Sequence, residues 1–310
     1  MIQVQGLVKK YGSLKAVDEL SFEVNEGEIF GLLGPNGAGK TTTISILSTL
    51  LAADGGSAKV CGYDVARDQA RVRSRIGVVP QEIALYEDLS ARENLTFWGR
   101  LYGMGGKTLK RRVDELLAIT RLQDRASEKV EKYSGGMKRR LNLAIGLVHS
   151  PEVLFLDEPT VGIDAQARSR ILELIREMNE DGLTVLYTTH YLEEAEQLCD
   201  RIAVIDQGKL VALGNKDDLI QQIGDVDLLR FAVPEEKVEE IQTACVAWNE
   251  CKAVAQRRGK LEIQTADGAL LLPKVQELLA TMDLPLEQLE VERPNLETLY
   301  LNLTGRALRE

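Results

Sequence analysis

The sequence is poor in the residues from which disulfide frameworks and many metal sites are built. Its 310 residues include only four cysteines and two histidines. No two cysteines have the C-x-x-C spacing of a zinc or redox motif, which argues against both kinds of site. Cys199 lies in a helical stretch, where a small buried thiol is the expected role.

Long apolar runs and an excess of positive charge are also missing. No apolar stretch approaches the roughly 18 residues that a membrane span requires, and the first residues, "MIQVQGLVKKYG", lack the apolar core of a signal peptide. The formal net charge is −10 at pH 7, which argues against nucleic-acid binding. The basic runs at 110–112 and 138–140 are expected to be solvated helix faces. These features predict a soluble, cytoplasmic protein without a nucleic-acid partner.

What the chain does contain is an alternation of short apolar runs with helical patterns. The continuous apolar runs, each expected to be a buried parallel strand, are 29–33, 76–79, 153–156, 184–189 and 201–205. A helical stripe with i, i+3, i+4, i+7 spacing lies at 141–148, directly after a double glycine. This alternation predicts an α/β fold with a mostly parallel sheet that is covered on both faces.

Two regions depart from this alternation. Residues 82–132 are charged, rich in helical pattern and without a strand candidate, which predicts a helical insertion that extends to about residue 150 with its last helix. The later part of the chain has the order β-α-β-β-α-β, which is the ferredoxin-like arrangement. We therefore predict two domains, 1–218 and 219–310. The second has no catalytic pattern and is expected to serve in dimer contact or regulation.

A last amphipathic helix closes the second domain. Its apolar stripe is a candidate exposed surface and consists of Leu296, Leu299, Tyr300 and Leu303. Packing of this stripe on the sheet of its own domain explains the pattern equally well, so both explanations remain open.

The stretch "GPNGAGKT" matches the phosphate-binding pattern G-x-x-x-x-G-K-[ST]. An apolar strand precedes the stretch and a helix follows it, as this motif requires. Its glycines let backbone N–H groups surround the β- and γ-phosphates, while Lys40 neutralises phosphate charge and the Thr41 hydroxyl binds Mg²⁺. The predicted nucleotide-binding residues of this loop are Gly34, Pro35, Asn36, Gly37, Ala38, Gly39, Lys40, Thr41 and Thr42.

Two acids follow the apolar run in "VLFLDEP". Acids just past the end of a buried strand lie at the edge where ligands of doubly wound sheets bind. Asp157 suits the role of a second Mg²⁺ ligand beside Thr41. Glu158 is placed to activate a water against the γ-phosphate as a general base.

Three single residues complete this set. Gln81 follows the strand at 76–79, where its amide could touch Mg²⁺ or water, and a solvated turn explains it equally well. His190 ends the strand at 184–189 and can donate a hydrogen bond to a γ-phosphate oxygen. Tyr11 could stack on adenine, although simple packing is the commoner role of a lone tyrosine.

A second stretch, "YSGGMKRR", also has the residues of a phosphate site. Ser134, Gly135 and Gly136 stand at the start of a predicted helix, where small residues expose backbone N–H groups and the helix dipole adds partial positive charge. The chain therefore carries two phosphate-binding motifs about a hundred residues apart.

In combination these motifs resemble the nucleotide-binding subunits of ATP-binding cassette (ABC) transporters. The matching segments, in chain order, are Tyr11, the Walker A loop at 34–42, Gln81 of the Q-loop, the signature "YSGGM", the Walker B "VLFLDE", Asp164 in the D-loop "VGID", and His190 of the H-loop. The usual signature is Leu-Ser-Gly-Gly-Gln, whereas this chain has Tyr133 and Met137 at its ends. This variant and the C-terminal extension resemble the daunorubicin-resistance-type branch of ABC-2 exporters.

The resemblance implies a P-loop NTPase core with an antiparallel β subdomain. It also implies that two copies pair head to tail, so that each ATP lies between the Walker A loop of one copy and the signature of the other. Glu158, His190 and Gln81 would then be catalytic, ATP and Mg²⁺ the cofactors, and Asp164 a dimer-coupling residue. The implied partner is a separately encoded polytopic permease, which would hold the subunit at the inner face of the membrane.

Two other classes of P-loop protein fit the sequence less well. A soluble ABC mechanoenzyme usually has two cassettes or a long coiled-coil insertion, and this chain has one Walker A motif and an acidic charge. A P-loop kinase for small molecules would leave the 134–136 motif and His190 without a role. The sequence therefore favours the transporter ATPase.

Overall fold

The computed structural model describes residues 1–221, 227–257, 260–285, 287–292 and 295–304. The chain divides into two compact units, Met1–Lys216 and Asp217–Ala307. Among the described residues, no helix combines the length and apolar character that crossing a membrane requires.

The first unit is built from two sheets and the helices around them. Its strands are β1 (Ile2–Tyr11), β2 (Leu14–Val24), β3 (Ile29–Leu33), β4 (Gly55–Val60), β5 (Tyr63–Asp64), β6 (Ile76–Val79), β7 (Val153–Asp157), β8 (Thr184–Thr189), β9 (Arg201–Asp206) and β10 (Lys209–Gly214). Its helices are α1 (Lys40–Leu47), α2 (Gln69–Arg73), α3 (Ala91–Leu101), α4 (Gly106–Ile119), α5 (Gly135–Gly146), α6 (Ala165–Glu180) and α7 (Leu192–Leu198). A further helix, α8 (Lys216–Gln221), follows at the division between the units.

The larger sheet has the strand order β10-β9-β3-β8-β7-β6. The five strands from β9 to β6 are parallel, and β10 pairs antiparallel with β9. Every residue of β3, β7 and β8 is buried, because both faces of the sheet are covered. Leu154 and Leu156 pack in the cluster that contains α5 and α6, whereas Phe155 packs in the cluster on the other face, with Ile44 of α1. The predicted parallel strands are confirmed.

The smaller sheet of this unit is antiparallel, with the order β2-β1-β4-β5. The predicted helical insertion contains α3, α4 and, as its last helix, α5, with a bridge between Ser90 and Lys129 outside the strands. Ser90 begins α3 in a capping box with Glu93. Helix α4 buries Leu109, Val113 and Leu116 at helical spacing, which packs the insertion onto the core.

The second unit has the predicted β-α-β-β-α-β order. Its elements are β11 (Asp227–Ala232), α9 (Val238–Val246), β12 (Cys251–Arg257), β13 (Lys260–Thr265), α10 (Gly268–Thr281), β14 (Glu287–Glu292) and α11 (Leu296–Thr304). The sheet order is β12-β13-β11-β14, with all neighbours antiparallel. This order places the two central strands, β11 and β13, between the edge strands, as in ferredoxin-like domains.

The closing helix α11 does not expose most of its apolar stripe, contrary to one of the two explanations given for that stripe. Leu296, Leu299 and Tyr300 are buried, while Leu303 is 48% exposed. The idea of an exposed apolar stripe is therefore wrong for three of its four residues. The physical reason is that large apolar side chains gain free energy when neighbouring groups remove them from water.

Glycines bring β6 and α5 unusually close together. A Cβ atom on Gly77 of β6 would lie 2.1 Å from the carbonyl oxygen of Gly146 in α5, and a Cβ on Gly146 would lie 2.7 Å from Val79 Cγ2. Strand β6 leads to Gln81, and α5 begins at the 134–136 motif. The close approach therefore fixes the separation between two predicted site segments.

We predict that Gly77→Ser destabilises the protein, because the new side chain must push β6 away from α5. Overpacking of this kind costs roughly 1–3 kcal/mol, measured as the change in free energy of unfolding by urea titration. The matched control is Gly105→Ser, since a Cβ at Gly105 meets nothing within 4 Å and serine is a favoured helix N-cap. Equal stability of Gly77→Ser and the control would contradict the prediction.

Candidate functional site

The loop between β3 and α1 has a backbone that only small residues permit. Gly39 has φ 104°, and a Cβ there would lie 2.3 Å from the Ala16 carbonyl oxygen of β2. A Cβ on Gly34 would lie 2.3 Å from the carbonyl oxygen of Ile205. Gly39 is the N-cap of α1, and no side chain caps that helix end. The first N–H groups of α1 therefore remain available to bind an anion.

Lys40 extends into the middle of this loop and is only 4% exposed. Its Nζ donates to the carbonyl oxygens of Gly34 at 2.7 Å and Pro35 at 3.0 Å. The same nitrogen lies 3.0 Å from Glu158 Oε1. The ammonium group is thus buried between the loop and the acid that follows β7.

Glu158 and Asp157 lie at the end of β7, beside the end of β8. Glu158 is buried, has φ 46°, and its Oε2 lies 3.1 Å from His190 Nδ1. The Thr188 hydroxyl donates to Asp157 Oδ1 at 2.7 Å and accepts the N–H of Glu158 at 3.0 Å. The structure therefore brings Lys40, Asp157, Glu158 and His190 together, as the sequence predicts.

Other predicted residues surround this group with more exposure to solvent. Thr41 is exposed and Thr42 partly buried in the first turn of α1. Gln81 is exposed just after β6, and its carbonyl oxygen accepts a hydrogen bond from Arg139. Tyr11 ends β1 with 48% exposure, and Lys9 Nζ lies 5.9 Å from the centre of its ring.

The second phosphate motif forms the start of α5. The Ser134 Oγ accepts the N–H of Met137 at 3.3 Å, which caps the helix. A Cβ on Gly136 would lie 2.7 Å from Ala167 Cβ at the start of α6. Asp164 caps α6 by accepting the N–H of Ala167 at 2.8 Å. The contact of Gly136 thus joins the motif to α6, whereas the hydrogen bond of Ser134 stays within α5.

The two departures from the usual signature have local packing reasons. Tyr133 is buried, and its hydroxyl donates to the Arg125 carbonyl oxygen at 2.7 Å. Burial raises the pKa of Tyr133, so the hydroxyl keeps its proton. Met137 packs against the core cluster that contains Tyr133. The bond of Met137 to the Ser134 hydroxyl uses its backbone N–H, which does not depend on the side chain at this position.

The basic run at 138–140 is not a solvated face, and that expectation is wrong. Lys138 pairs with Glu87, and Arg140 donates to the carbonyl oxygens of Thr120 and Arg121. Arg139 is only 6% exposed. The three side chains reach different segments because successive helical residues project in different directions.

Two polar residues of the site were missed by sequence reasoning. Thr188 is one. The other is Glu194 of α7, which is 2% exposed and accepts hydrogen bonds from Tyr187 at 2.7 Å, Thr189 at 2.7 Å and Thr160 at 2.6 Å. Glu194 thereby fixes the loop after Glu158 to the end of β8. The available signal was the row of hydroxyl residues ending β8 in an otherwise apolar strand.

Comparison with known proteins agrees with this geometry. The family described as ABC transporter matches residues 17–161. The chain is 44% identical to the linearmycin resistance ATP-binding protein LnrL of Bacillus subtilis over 100% of both chains. It is 42% identical to the daunorubicin resistance ATP-binding protein DrrA3 of Streptomyces coeruleorubidus, over 98% of this chain and 96% of that protein. The Nod factor export ATP-binding protein I of Ralstonia nicotianae is 40% identical over 100% of this chain and 95% of its own length.

Solved structures that resemble this chain also belong to ABC transporters. An ATP-binding subunit of an ABC transporter superposes with a TM-score of 0.65 and 31% identity, over 72% of this chain and 93% of that one. A dimeric bacterial ABC transporter cassette superposes with a TM-score of 0.63 and 27% identity, over 69% and 98%. These matches confirm the predicted fold and the predicted activity, ATP hydrolysis coupled to transport, and they argue against the kinase and mechanoenzyme alternatives. The chain belongs to the ABC transporter family, as an ATP-binding subunit of the daunorubicin-resistance-type branch.

Proposed function

We propose that two copies of this chain pair head to tail and hold two ATP molecules between them. Each ATP would lie between the loop at 34–42 of one copy and residues 134–136 of the other. The observation that supports this is a second phosphate motif whose own contacts, those of Ser134 and Gly136, go to α5 and α6. In a self-complementary dimer, both phosphate motifs of each chain contact an ATP molecule.

In this arrangement the loop residues hold the phosphates. Lys40 and the N–H groups at the start of α1 bind the β- and γ-phosphates, and Tyr11 stacks on the adenine. Thr41, Asp157 and Gln81 offer hydroxyl, carboxylate and amide oxygens, which is the donor set that Mg²⁺ prefers. Bound Mg²⁺ would neutralise phosphate charge during hydrolysis.

Glu158 is the proposed general base, and the structure suggests how it becomes free to act. Its carboxylate is held between Lys40 and His190. The phosphates of ATP compete with Glu158 for Lys40, so binding weakens the hold on the carboxylate just when a water must be activated. His190 can then donate to the γ-phosphate, and Asp164, in the loop between Glu158 and α6, couples the site to the other copy.

The helical insertion carries a surface suited to a membrane partner. We call it the aromatic surface, and its exposed members are Tyr86, Phe97 and, one turn after Phe97 on α3, Leu101. Tyr86 and Phe97 form an edge-on pair with ring centroids 4.9 Å apart. A cluster of exposed apolar side chains is typical of protein interfaces. Tyr86 follows Gln81 closely in the sequence, so a partner bound at the aromatic surface would act on the segment that contains the Q-loop.

The partner that fits this surface is a cytoplasmic loop of a separately encoded polytopic permease. The relatives named above are ATP-binding proteins of resistance and export systems, which supports an exporter in which other subunits form the pore. The chain would then be held at the inner face of the membrane through its permease. We further propose that 1–218 is the ATPase domain and that 219–310 serves in dimer contact or regulation.

Lys40→Ala is expected to lower the affinity for Mg-ATP by about 100-fold or more, because the phosphates lose their main side-chain cation. Isothermal titration calorimetry measures this directly. The control is Lys59→Ala, which removes an exposed lysine of β4 and should bind ATP as the unchanged protein does. Unaltered affinity in Lys40→Ala would exclude the loop as the phosphate site.

Glu158→Gln is expected to keep ATP binding and to lower the hydrolysis rate by roughly 10² to 10⁴, since the amide cannot accept a proton from water. The variant should accumulate as an ATP-bound dimer in size-exclusion chromatography with ATP and Mg²⁺. Asp157→Asn is the comparison, because it weakens the Mg²⁺ site and should not trap the dimer. Near-normal hydrolysis by a monomeric Glu158→Gln protein would rule out this role.

Phe97→Ser is expected to abolish copurification of a polytopic membrane protein while leaving ATP affinity unchanged, because it removes an apolar contact of the aromatic surface. Leu50→Ser is the matched control, since Leu50 is an exposed apolar residue outside this surface. If the double variant Phe97→Ser, Tyr86→Ser still copurifies with the membrane protein, the permease contacts another part of the chain.

A further inference from the structure

Arg139 joins three segments that have separate tasks in the proposed mechanism. It lies in the first turns of α5, two residues after the last residue of the signature. Its Nη1 donates to the carbonyl oxygen of Gln81, and its Nη2 donates to the carbonyl oxygen of Val161 at 3.0 Å. Gln81 belongs to the loop after β6, while Val161 lies between Glu158 and Asp164. One side chain therefore links the signature helix, the Q-loop and the D-loop.

The guanidinium group makes this link rigid. Its donors lie in one plane with fixed separations, so the two accepting carbonyl oxygens are held at a fixed spacing. The contact of Gly136 with Ala167 keeps α5 pressed on the start of α6. A movement of the loop at Gln81 must therefore either break a hydrogen bond or carry α5 with it.

The burial of Arg139 is poorly explained by stability alone. The partners of its guanidinium are two neutral carbonyl groups, and its Nε has no hydrogen-bond partner among the described residues. Burial lowers the pKa of Arg139, which reflects the unfavourable free energy of a cation removed from water. A buried charge without a carboxylate partner is costly compared with an apolar side chain.

We propose that Arg139 is a positioning residue that couples the two ATP sites of the dimer, an inference that rests on the proposed head-to-tail pairing. In that dimer, Gln81 and Glu158 act on the ATP of their own copy, whereas the signature acts on the ATP of the other copy. Arg139 connects the two sets within one chain. A change at one ATP therefore moves the signature at the other.

The test compares Arg139→Gln with Arg140→Gln in the full-length protein. Arg140 is a close control, because it is the next residue of α5 and also donates to two backbone carbonyl oxygens, those of Thr120 and Arg121. Both hydrogen bonds of Arg140 go to residues just after α4. Three quantities are measured: the ATP affinity at a protein concentration too low for pairing, the kcat, and the Hill coefficient for ATP.

We expect Arg139→Gln to leave the ATP affinity within about twofold and to lower the Hill coefficient from near 2 toward 1. The kcat should fall as well, because the signature then no longer responds to the nucleotide at the other site. Arg139→Lys retains the charge and should recover part of the cooperativity. Arg140→Gln should keep the Hill coefficient of the unchanged protein.

An unchanged Hill coefficient in Arg139→Gln overturns the inference, and so does an equal loss in Arg140→Gln. If Arg139→Gln does not fold, Arg139→Lys decides, since a Lys variant with full cooperativity and full kcat would also overturn it. If the proposed head-to-tail pairing is itself wrong, the experiment gives a different result. In that case the unchanged protein itself shows no cooperativity and stays monomeric with ATP, and the inference falls with it.

Discussion

The buried contact between Lys40 and Glu158 is the interaction on which the site depends. The two groups lie 3.0 Å apart, at the ends of β3 and β7, with β8 between these strands. Such a pair is stable only when further polar partners offset the loss of hydration. Carbonyl groups of the loop bind Lys40, and His190 at the end of β8 binds Glu158. The parallel sheet is what makes this possible, because its strand ends meet at one edge.

Small residues determine how the helices approach that edge. Gly77 and Gly146 let β6 and α5 come into backbone contact, and Gly136 lets α5 rest on α6. These approaches place the signature at a fixed distance from the Q-loop, while the contacts of Ser134 and Gly136 go to α5 and α6. Arg139 then adds the polar bonds that tie the same segments together. The close packing and the hydrogen bonds of Arg139 therefore hold the same segments together.

Much of this could be predicted from the sequence, because apolar runs and local motifs are short-range signals. The buried strands, the helical insertion and the ferredoxin-like order of the second unit follow from such patterns. Thr188, Glu194 and Arg139 did not, since each has a partner that is distant in the sequence. These partners are Asp157, Thr160 and Gln81, respectively. Arg139 looked like part of a solvated basic run because a charge pattern does not show which face of a helix is covered. The buried α11 residues were ambiguous for the same reason.

Mixing of two inactive variants tests most directly whether each ATP site is shared between two chains. One variant carries Lys40→Ala and the other Ser134→Arg, so each homodimer has a defect in both sites. In a mixed dimer both defects fall in the same site, which leaves the other site intact. The account predicts that the mixture hydrolyses ATP although neither variant does alone. If mixed dimers form, as shown by two different tags, and ATP hydrolysis stays absent, the shared site is contradicted.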